Sequence, residues 1–229
     1  EPAVIAEFDD YTRAIATCRS EYDSSLPGPW YCIAQSTGGS AVMQLILGSQ
    51  PHYFHSVVLL APLVRPVGWW WVRIMHLIIA RWRDRVPRRF AQNSQDGLFL
   101  EFLRADPLQA RYVSTRWVGA LKRWMAGFLD QPPCLPGAVC PLLIVQGTGD
   151  QTVDWRYNLV QVQRVFPDSH QVIIHDARHH LANESLPVRT RIVTELDSFF
   201  GLVPVGAAPA TGETGVDTSA AGGRAAHGE

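Results

Sequence analysis

The chain has 229 residues, of which 47% are hydrophobic, and its formal net charge is −1. This length and composition predict one domain with a sizeable hydrophobic core. The sequence has no apolar run of about 18 residues, so a transmembrane helix is not expected. Its four cysteines form no C-x-x-C pair, which favours a reducing compartment.

The charges are unevenly distributed along the chain. Residues 65–140 carry 12 basic and 5 acidic side chains, whereas the rest of the chain carries 8 basic and 16 acidic ones. The same stretch, called here the basic segment, holds six of the eight tryptophans: Trp69, Trp70, Trp71, Trp82, Trp117 and Trp124. The basic segment is therefore expected to have a different role from the sequence on either side of it.

The first predicted element is a helix that ends before the turn over residues 26–29. Apolar residues on one face of this helix recur at spacings of three and four, at Val4, Phe8, Tyr11, Ile15, Cys18 and Tyr22. Cys18 and Cys32 both fall within apolar patterns, where a free thiol packs as a small hydrophobe. Both are expected to contribute to the core.

The next stretch predicts a strand, a sharp turn and a helix. A β-prone run over residues 30–34 is followed by a serine and two glycines, after which a helical pattern begins. A serine at such a turn is strained, and its neighbours Ala34 and Gly38 must be small because strand and helix pass close together. The turn raises the Ser36 hydroxyl above the sheet, and the Thr37 amide points to where an oxyanion would form. The interpretation is a nucleophile elbow, although the short motif alone also fits a Gly-rich structural turn.

The remaining elements alternate between strands and helices. Residues 57–61 and 142–145 are continuous apolar runs, typical of strands covered on both faces. The others are helices over 70–83, 97–104, 113–128 and through 159–166, a strand over 171–175, and a helix over 189–200. The alternation predicts a parallel sheet with helices on both faces, interrupted by a helical insertion.

Three residues with complementary chemistry follow predicted strands: Ser36, Asp150 and His179. The active site of a parallel sheet lies at the carboxyl ends of its strands, so these side chains are expected to meet. Serine is a poor nucleophile until a base takes its proton, neutral imidazole is the natural base near neutral pH, and a carboxylate fixes the imidazole tautomer. Asp154 is the alternative acid, and His180 is the alternative base.

Three stretches carry a resemblance to a known family: Ala34-Gln35-Ser36-Thr37-Gly38-Gly39, Gly147-Thr148-Gly149-Asp150 and Ala177-Arg178-His179-His180-Leu181-Ala182-Asn183-Glu184. They resemble the nucleophile, acid and histidine motifs of the α/β-hydrolase superfamily. Within it the chain is most similar to the serine aminopeptidase S33-like group, which includes lysophospholipases and monoacylglycerol lipases. Asp106-Pro107-Leu108 and the helix of Trp117 also resemble the cap of that group.

The resemblance implies an α/β-hydrolase fold, with a mostly parallel sheet flanked by helices and a helical cap inserted before the acid-bearing strand. It implies Ser36 as nucleophile, Asp150 as acid and, from the residues that follow it, His179 rather than His180 as base. The Thr37 amide is the expected oxyanion donor, and no cofactor is required.

The chain departs from the pattern of that group in two ways. The usual first glycine of the elbow is Ala34 and the usual histidine before the serine is Gln35, but neither change removes the chemistry. In the group, several strands and a second oxyanion donor precede the elbow. This chain has room for one helix before Trp30, so those first strands and that donor are expected to be missing from it. The strand over 30–34 would then be an open, apolar edge.

On this interpretation the sequence has four parts. Residues 1–64 form the N-terminal part of the hydrolase core with the elbow, residues 65–140 form the cap, and residues 141–203 form the C-terminal part with the acid and the histidine. Residues 204–229 contain no aromatic residue, leucine or isoleucine. Such a segment cannot bury enough apolar surface to fold, so we expect a disordered tail there.

Three interpretations of the basic segment stay open. Its aromatic side chains pack on the core beneath, its helices form an apolar acyl pocket over Ser36, or its surface docks on anionic membrane lipid. Nucleic-acid binding is not expected, because no signature of a nucleic-acid-binding fold is present. A metal site at His175, Asp176, His179 and His180 is a further alternative, but no second cluster of ligands is evident.

The sequence thus predicts a serine hydrolase that cleaves carboxylic esters with an apolar acyl group, such as lysophospholipids or monoacylglycerols. Its expected partner is a small-molecule ester or lipid, and its expected location is the cytoplasm or the membrane periphery. One alternative is a non-catalytic protein of hydrolase fold that binds an apolar small molecule. Another is a serine aminopeptidase, which would need an acidic cluster to hold the substrate ammonium group, whereas the predicted cap is basic.

Overall fold

The computed structural model of the chain describes residues 4–48, 51–88 and 90–202. The predicted tail over residues 204–229 lies outside the described residues. Within them the helices are α1 (Asp9–Tyr22), α2 (Thr37–Leu47), α3 (Trp69–Ile79), α4 (Gly97–Ala105), α5 (Thr115–Leu129), α6 (Trp155–Val165) and α7 (Leu186–Phe200). The strands are β1 (Tyr31–Gln35), β2 (Ser56–Leu60), β3 (Arg85–Pro87), β4 (Tyr112–Ser114), β5 (Leu142–Gly147) and β6 (His170–Ile174).

Four of the strands form a parallel sheet in the order β1, β2, β5, β6. The register pairs Cys32 with Val57 and Val58 with Leu143. All four strands point the same way, so their carboxyl ends meet at one edge of the sheet, where the candidate site lies. Strand β1 is at one side of this sheet, and its Ile33 is 53% exposed, as expected for an apolar edge strand.

The hydrophobic core lies on both faces of the sheet because the two central strands, β2 and β5, are buried at every position. In β2, Val57 and Leu59 belong to one cluster of buried side chains, and Val58 and Leu60 belong to another. Buried residues of α2, α5 and α6 pack in the first cluster, whereas α7 packs against the second. The strands are arranged in the sheet in the order in which they occur in the sequence, and parallel crossovers are right-handed. The helices α2, α5 and α6, one from each connection, therefore lie on the same face of the sheet.

The basic segment between β2 and β5 differs in part from its prediction. Helix α3 ends at Ile79 and α5 begins at Thr115, so Arg83 and Val113 are not helical. Val113 instead pairs with Val86 in a short antiparallel β3–β4 ladder that was not predicted. With three residues in each strand, this ladder is too short for an alternating pattern to appear in the sequence.

Helix α5 is the part of the basic segment that packs most deeply on the core. Its Trp124 stacks between Phe8 and Phe128 with ring centroids 5.1 and 5.2 Å apart. The division of the chain into core and cap at residues 64 and 140 stays a prediction, since the same cluster of side chains runs through both.

One prediction about the core is wrong. Cys18 is exposed rather than packed, because the side chains of α1 that pack against the core are Tyr11 and Ile15, whereas the last turn of the helix contacts Tyr53 through Arg19. Cys32 is half-buried, and burial raises the pKa of its thiol to about 11. Among the described helices, none combines the length and apolarity that crossing a membrane would require.

Candidate active site

Ser36 occupies the tip of the turn between β1 and α2. Its backbone has φ 54° and ψ −117°, a conformation that residues other than glycine rarely adopt. The turn is held because the Ser36 amide donates to the Leu60 carbonyl oxygen at 2.9 Å. Among the described residues other than glycine, Ala61 and Asp176 are the other two with positive φ, and they follow β2 and β6. Backbone strain is therefore concentrated at the carboxyl ends of the strands.

The small residues around Ser36 differ in how much space they have. A Cβ atom added to Gly38 would lie 4.0 Å from the Ala34 Cβ, which is an ordinary contact, whereas one added to Gly39 would lie 3.3 Å from the Pro62 Cβ. The tighter approach in this turn is therefore at Gly39. Thr37 is the first residue of α2, and the first amides of a helix have no partner within it.

Asp150 follows β5, and its carboxylate is buried and fully hydrogen-bonded. Oδ1 accepts from the amides of Thr152 and Val153 at 2.8 and 3.1 Å, and Oδ2 accepts from Gln146 Nε2 at 3.2 Å. These donors fix the direction of the carboxylate group.

His179 lies in the loop after β6 and connects the other two residues. Its Nδ1 lies 2.8 Å from Asp150 Oδ2, and its Nε2 lies 2.9 Å from Ser36 Oγ. The imidazole itself is buried. A carboxylate can only accept, so Nδ1 carries the proton and Nε2 is left as an acceptor for the serine hydroxyl. The structure thus brings together all three predicted residues in one chain of hydrogen bonds, called here the relay.

The alternative acid is placed elsewhere. The carboxylate of Asp154 pairs with Arg65, whose Nη2 lies 2.6 Å from Asp154 Oδ2, and it also caps the N-terminus of α6. Within the described residues, no group of three His, Cys, Asp or Glu side chains is arranged to hold a metal ion.

His180, the alternative base, contacts Gln35 rather than Ser36 or Asp150. Its Nδ1 lies 3.3 Å from Gln35 Nε2, and its amide donates to the Asn93 carbonyl oxygen at 2.7 Å. Burial, together with electrostatic repulsion from His179 and Arg88, lowers the pKa of His180 to about 4. The ring is therefore neutral near pH 7, next to the turn that carries Ser36.

Glu184 is a site residue whose role the sequence did not reveal. Its side chain is completely buried. Oε1 accepts from the Arg178 amide at 2.7 Å, and Oε2 accepts from the Gln95 and Ser185 amides at 2.9 and 3.0 Å. Glu184 thereby connects Arg178, the residue before His179, to Gln95 in the basic segment. Its position at the end of the histidine motif was the signal in the sequence that could have indicated a role. The sequence does not show its contact with Gln95, which is 89 residues away.

A cavity of about 380 Å³ lies over Ser36. Thr37, His179 and His180 line it near Ser36. Apolar side chains from several parts of the chain form its walls, namely Tyr11, Leu63, Val113, Trp117 and Val153. Trp117 Nε1 donates to the Tyr11 hydroxyl at 3.1 Å, which fixes one wall. The serine hydroxyl therefore faces a space suited to an apolar group.

Comparison with known proteins matches the chain to a family. The sequence profile described as Serine aminopeptidase, S33 matches residues 2–186. No curated protein sequence matches the chain significantly.

Several solved structures share the fold at low sequence identity. A soluble variant of monoglyceride lipase from Saccharomyces cerevisiae, in complex with a substrate analog, has a TM-score of 0.71 and 17% identity, over 86% of this chain and 70% of that one. The monoacylglycerol lipase of Paleococcus ferrophilus has a TM-score of 0.62 and 15% identity, over 84% and 76%. A structure of the metagenome-derived lipolytic enzymes LipS and LipT has a TM-score of 0.62 and 14% identity, over 85% and 73%. These likenesses establish an α/β-hydrolase fold, as the sequence predicted.

Proposed function

The chain belongs to the serine aminopeptidase S33 family, and from this premise we propose that it is a serine hydrolase of carboxylic esters with an apolar acyl group. The observation that carries the proposal is the relay from Ser36 Oγ through His179 to Asp150, with distances of 2.9 and 2.8 Å. A serine placed in this way has a chemical use, because an imidazole within hydrogen-bond reach activates the hydroxyl.

In the proposed reaction, His179 Nε2 takes the Ser36 proton while Oγ bonds to the ester carbonyl carbon. Asp150 accepts a hydrogen bond from Nδ1 and stabilises the imidazolium that forms. The imidazolium then gives its proton to the leaving alcohol as the C–O bond breaks. Water attacks the acyl-serine, His179 again takes a proton, and the carboxylic acid leaves as the Ser36 hydroxyl is restored.

The Thr37 amide is the proposed donor to the tetrahedral oxyanion. It is the first amide of α2, and the dipole of that helix adds partial positive charge at the same point. Donors of this kind stabilise charge that develops only in the transition state.

The apolar walls of the cavity over Ser36 support an acyl chain as the group bound there. The solved lipases of the same fold lead us to propose monoacylglycerols or lysophospholipids as the ester class.

Two other functions compete with this one. A non-catalytic binding protein would have no need of the strained Ser36 backbone or of the His179 contact. An aminopeptidase needs a carboxylate near Ser36 to hold the substrate ammonium group, yet the charged side chain that lines the cavity among the described residues is Arg88. Both observations favour the ester hydrolase.

We also propose that α3 contacts the surface of an anionic membrane. Large apolar side chains on and just after this helix are exposed, namely Trp70, Trp71, Met75, Leu77, Ile78 and Trp82. Arg73 and Arg81 lie among them. Exposed aromatic and basic residues on one helix suit the interface of an anionic bilayer.

A substrate panel tests the function. Monoacylglycerol and lysophospholipid esters should be hydrolysed, whereas aminoacyl coumarin amides should not. Turnover of the aminoacyl amides alone would establish the peptidase. Binding of the lipids without turnover, unchanged in Ser36→Ala, would establish the binding protein.

A further inference from the structure

A second cavity opens beside the one over Ser36. It has a volume of about 380 Å³ and lies between the β3–β4 ladder, α4 and the loop after β5. Arg88, Ala110, Thr152 and His180 line both cavities. The second cavity is therefore adjacent to the one that lies over Ser36.

The charge of the second cavity is positive. Its lining includes the three arginines Arg88, Arg104 and Arg111 and the single carboxylate of Asp106. Asp106 is already used locally, since its Oδ1 accepts from the Leu108 amide at 2.8 Å. His180 lines the same space but is neutral near pH 7, because burial lowers its pKa to about 4.

The arginine side chains have donors available. In the part of the chain that the structure describes, none of the three forms an ion pair with a carboxylate. The guanidinium of Arg104 stacks on the Phe90 ring, 4.7 Å from its centroid, and such stacking leaves the in-plane N–H groups free. The Arg88 amide donates to the Arg111 carbonyl oxygen at 2.8 Å, which fixes these two residues side by side.

We propose that this second cavity binds the phosphate of a lysophospholipid headgroup while the acyl ester lies at Ser36. Planar guanidinium groups bind phosphate oxygens through paired hydrogen bonds. A neutral glycerol headgroup would leave these positive charges unmatched. The proposal rests on the proposed ester hydrolase, and it selects phosphate-bearing lipids over monoacylglycerols as the preferred substrates.

Binding of ether lipids tests the proposal without depending on catalysis. Isothermal titration calorimetry would compare 1-O-decylglycerol 3-phosphate, 1-O-decylglycerol and inorganic phosphate, with each lipid below its critical micelle concentration. The proteins are the unaltered chain, Arg104→Gln/Arg111→Gln, whose two arginines line the second cavity and not the one over Ser36, and Arg191→Gln as a control that removes an exposed arginine of α7. Since an ether cannot be cleaved, failure of the ester hydrolase and failure of the phosphate site give different results.

The phosphate ether should bind about tenfold more tightly than the neutral ether. That preference should disappear in the double variant and persist in Arg191→Gln, while affinity for the neutral ether stays the same. Equal binding of the two ethers to the unaltered chain would overturn the proposal, as would a preference that survives in the double variant. Inorganic phosphate binding as tightly as the phosphate ether would replace the lipid headgroup by free phosphate as the ligand.

Discussion

Gly147 lies against Ala177 so closely that a Cβ atom on Gly147 would be 2.1 Å from the Ala177 carbonyl oxygen. The neighbouring Gly149 amide donates to the same oxygen at 2.9 Å. The loops after β5 and β6 meet at this point, and they carry Asp150 and His179. The contact between the acid and the histidine thus depends on a glycine at position 147.

We expect Gly147→Ala to force these two loops apart. Overpacking of this kind costs about 1–3 kcal/mol of unfolding free energy, and more when backbone is the obstacle. Ester turnover should fall as well, because the Asp150–His179 distance changes. Thermal melts and ester assays measure both effects.

Gly127→Ala is the matched control, since Gly127 lies in α5 with open space around its Cβ position. It should be neutral or slightly stabilising. Equal melting temperatures for the two variants would contradict the role given to Gly147.

Glu184→Gln should weaken the loop that carries His179. A glutamine has one oxygen, so at least one of the three amides that Glu184 binds would face an NH₂ group. Leaving a buried donor unsatisfied costs about 1–3 kcal/mol. We expect a lower melting temperature and a lower kcat, with Glu101→Gln on the exposed face of α4 as the control. If the two variants melt alike, Glu184 has no such role.

The pKa of His180 predicts an acid-sensitive stability. It is lowered from 6.5 to about 4 in the folded protein, first by burial and then by His179 and Arg88. Below about pH 6.5, His180 binds a proton in the unfolded chain but not in the folded protein. Stability therefore falls as the pH drops from 6.5 towards 4.

His180→Gln should reduce the fall in melting temperature between pH 7.5 and 4.5. His52→Gln, at an exposed position, controls for the loss of a histidine. A fall of the same size in His180→Gln and in the unaltered chain would show that another group causes it.

Contact of α3 with membranes can be tested with two equally exposed leucines. Leu77 in α3 is 63% exposed and Leu186 in α7 is 67% exposed. Leu77→Ser should weaken binding to vesicles containing phosphatidylglycerol about tenfold, because the lost side chain is the one inserted. Leu186→Ser should bind as the unaltered chain does in the same sedimentation assay. Equal loss in both would mean that α3 is not the contact.

The sequence was most informative where one local pattern determines the structure. The apolar runs at 57–61 and 142–145 became β2 and β5 within one or two residues, because strands buried on both faces are apolar throughout. The turn at Ser36 was also visible, since a serine between small residues after a β-prone run is a local arrangement. The rule that parallel strands present their carboxyl ends at one edge predicted that Asp150 and a histidine after β6 would lie near Ser36. The choice of His179 over His180 came from the family resemblance.

The rest depends on contacts between distant residues. Nothing near Gly147 in the sequence shows that Ala177 lies against it, and the partners of Glu184 include Gln95 from the basic segment. The exposure of Cys18 depends on where α1 leaves the core, which periodicity alone does not fix. In the sequence, the arginines of the second cavity are recognisable only as part of the basic segment. The structure shows that the pairing of β3 with β4 places Arg88 beside Arg111.

The central claim is that His179 activates Ser36 as a nucleophile, and covalent labelling with a fluorophosphonate tests it most directly. Intact mass spectrometry should show one adduct on the unaltered chain and none on Ser36→Ala. Ser20→Ala, on the exposed side of α1, should label as the unaltered chain does. Labelling that persists in Ser36→Ala, or an unaltered chain that takes no label, would contradict the account.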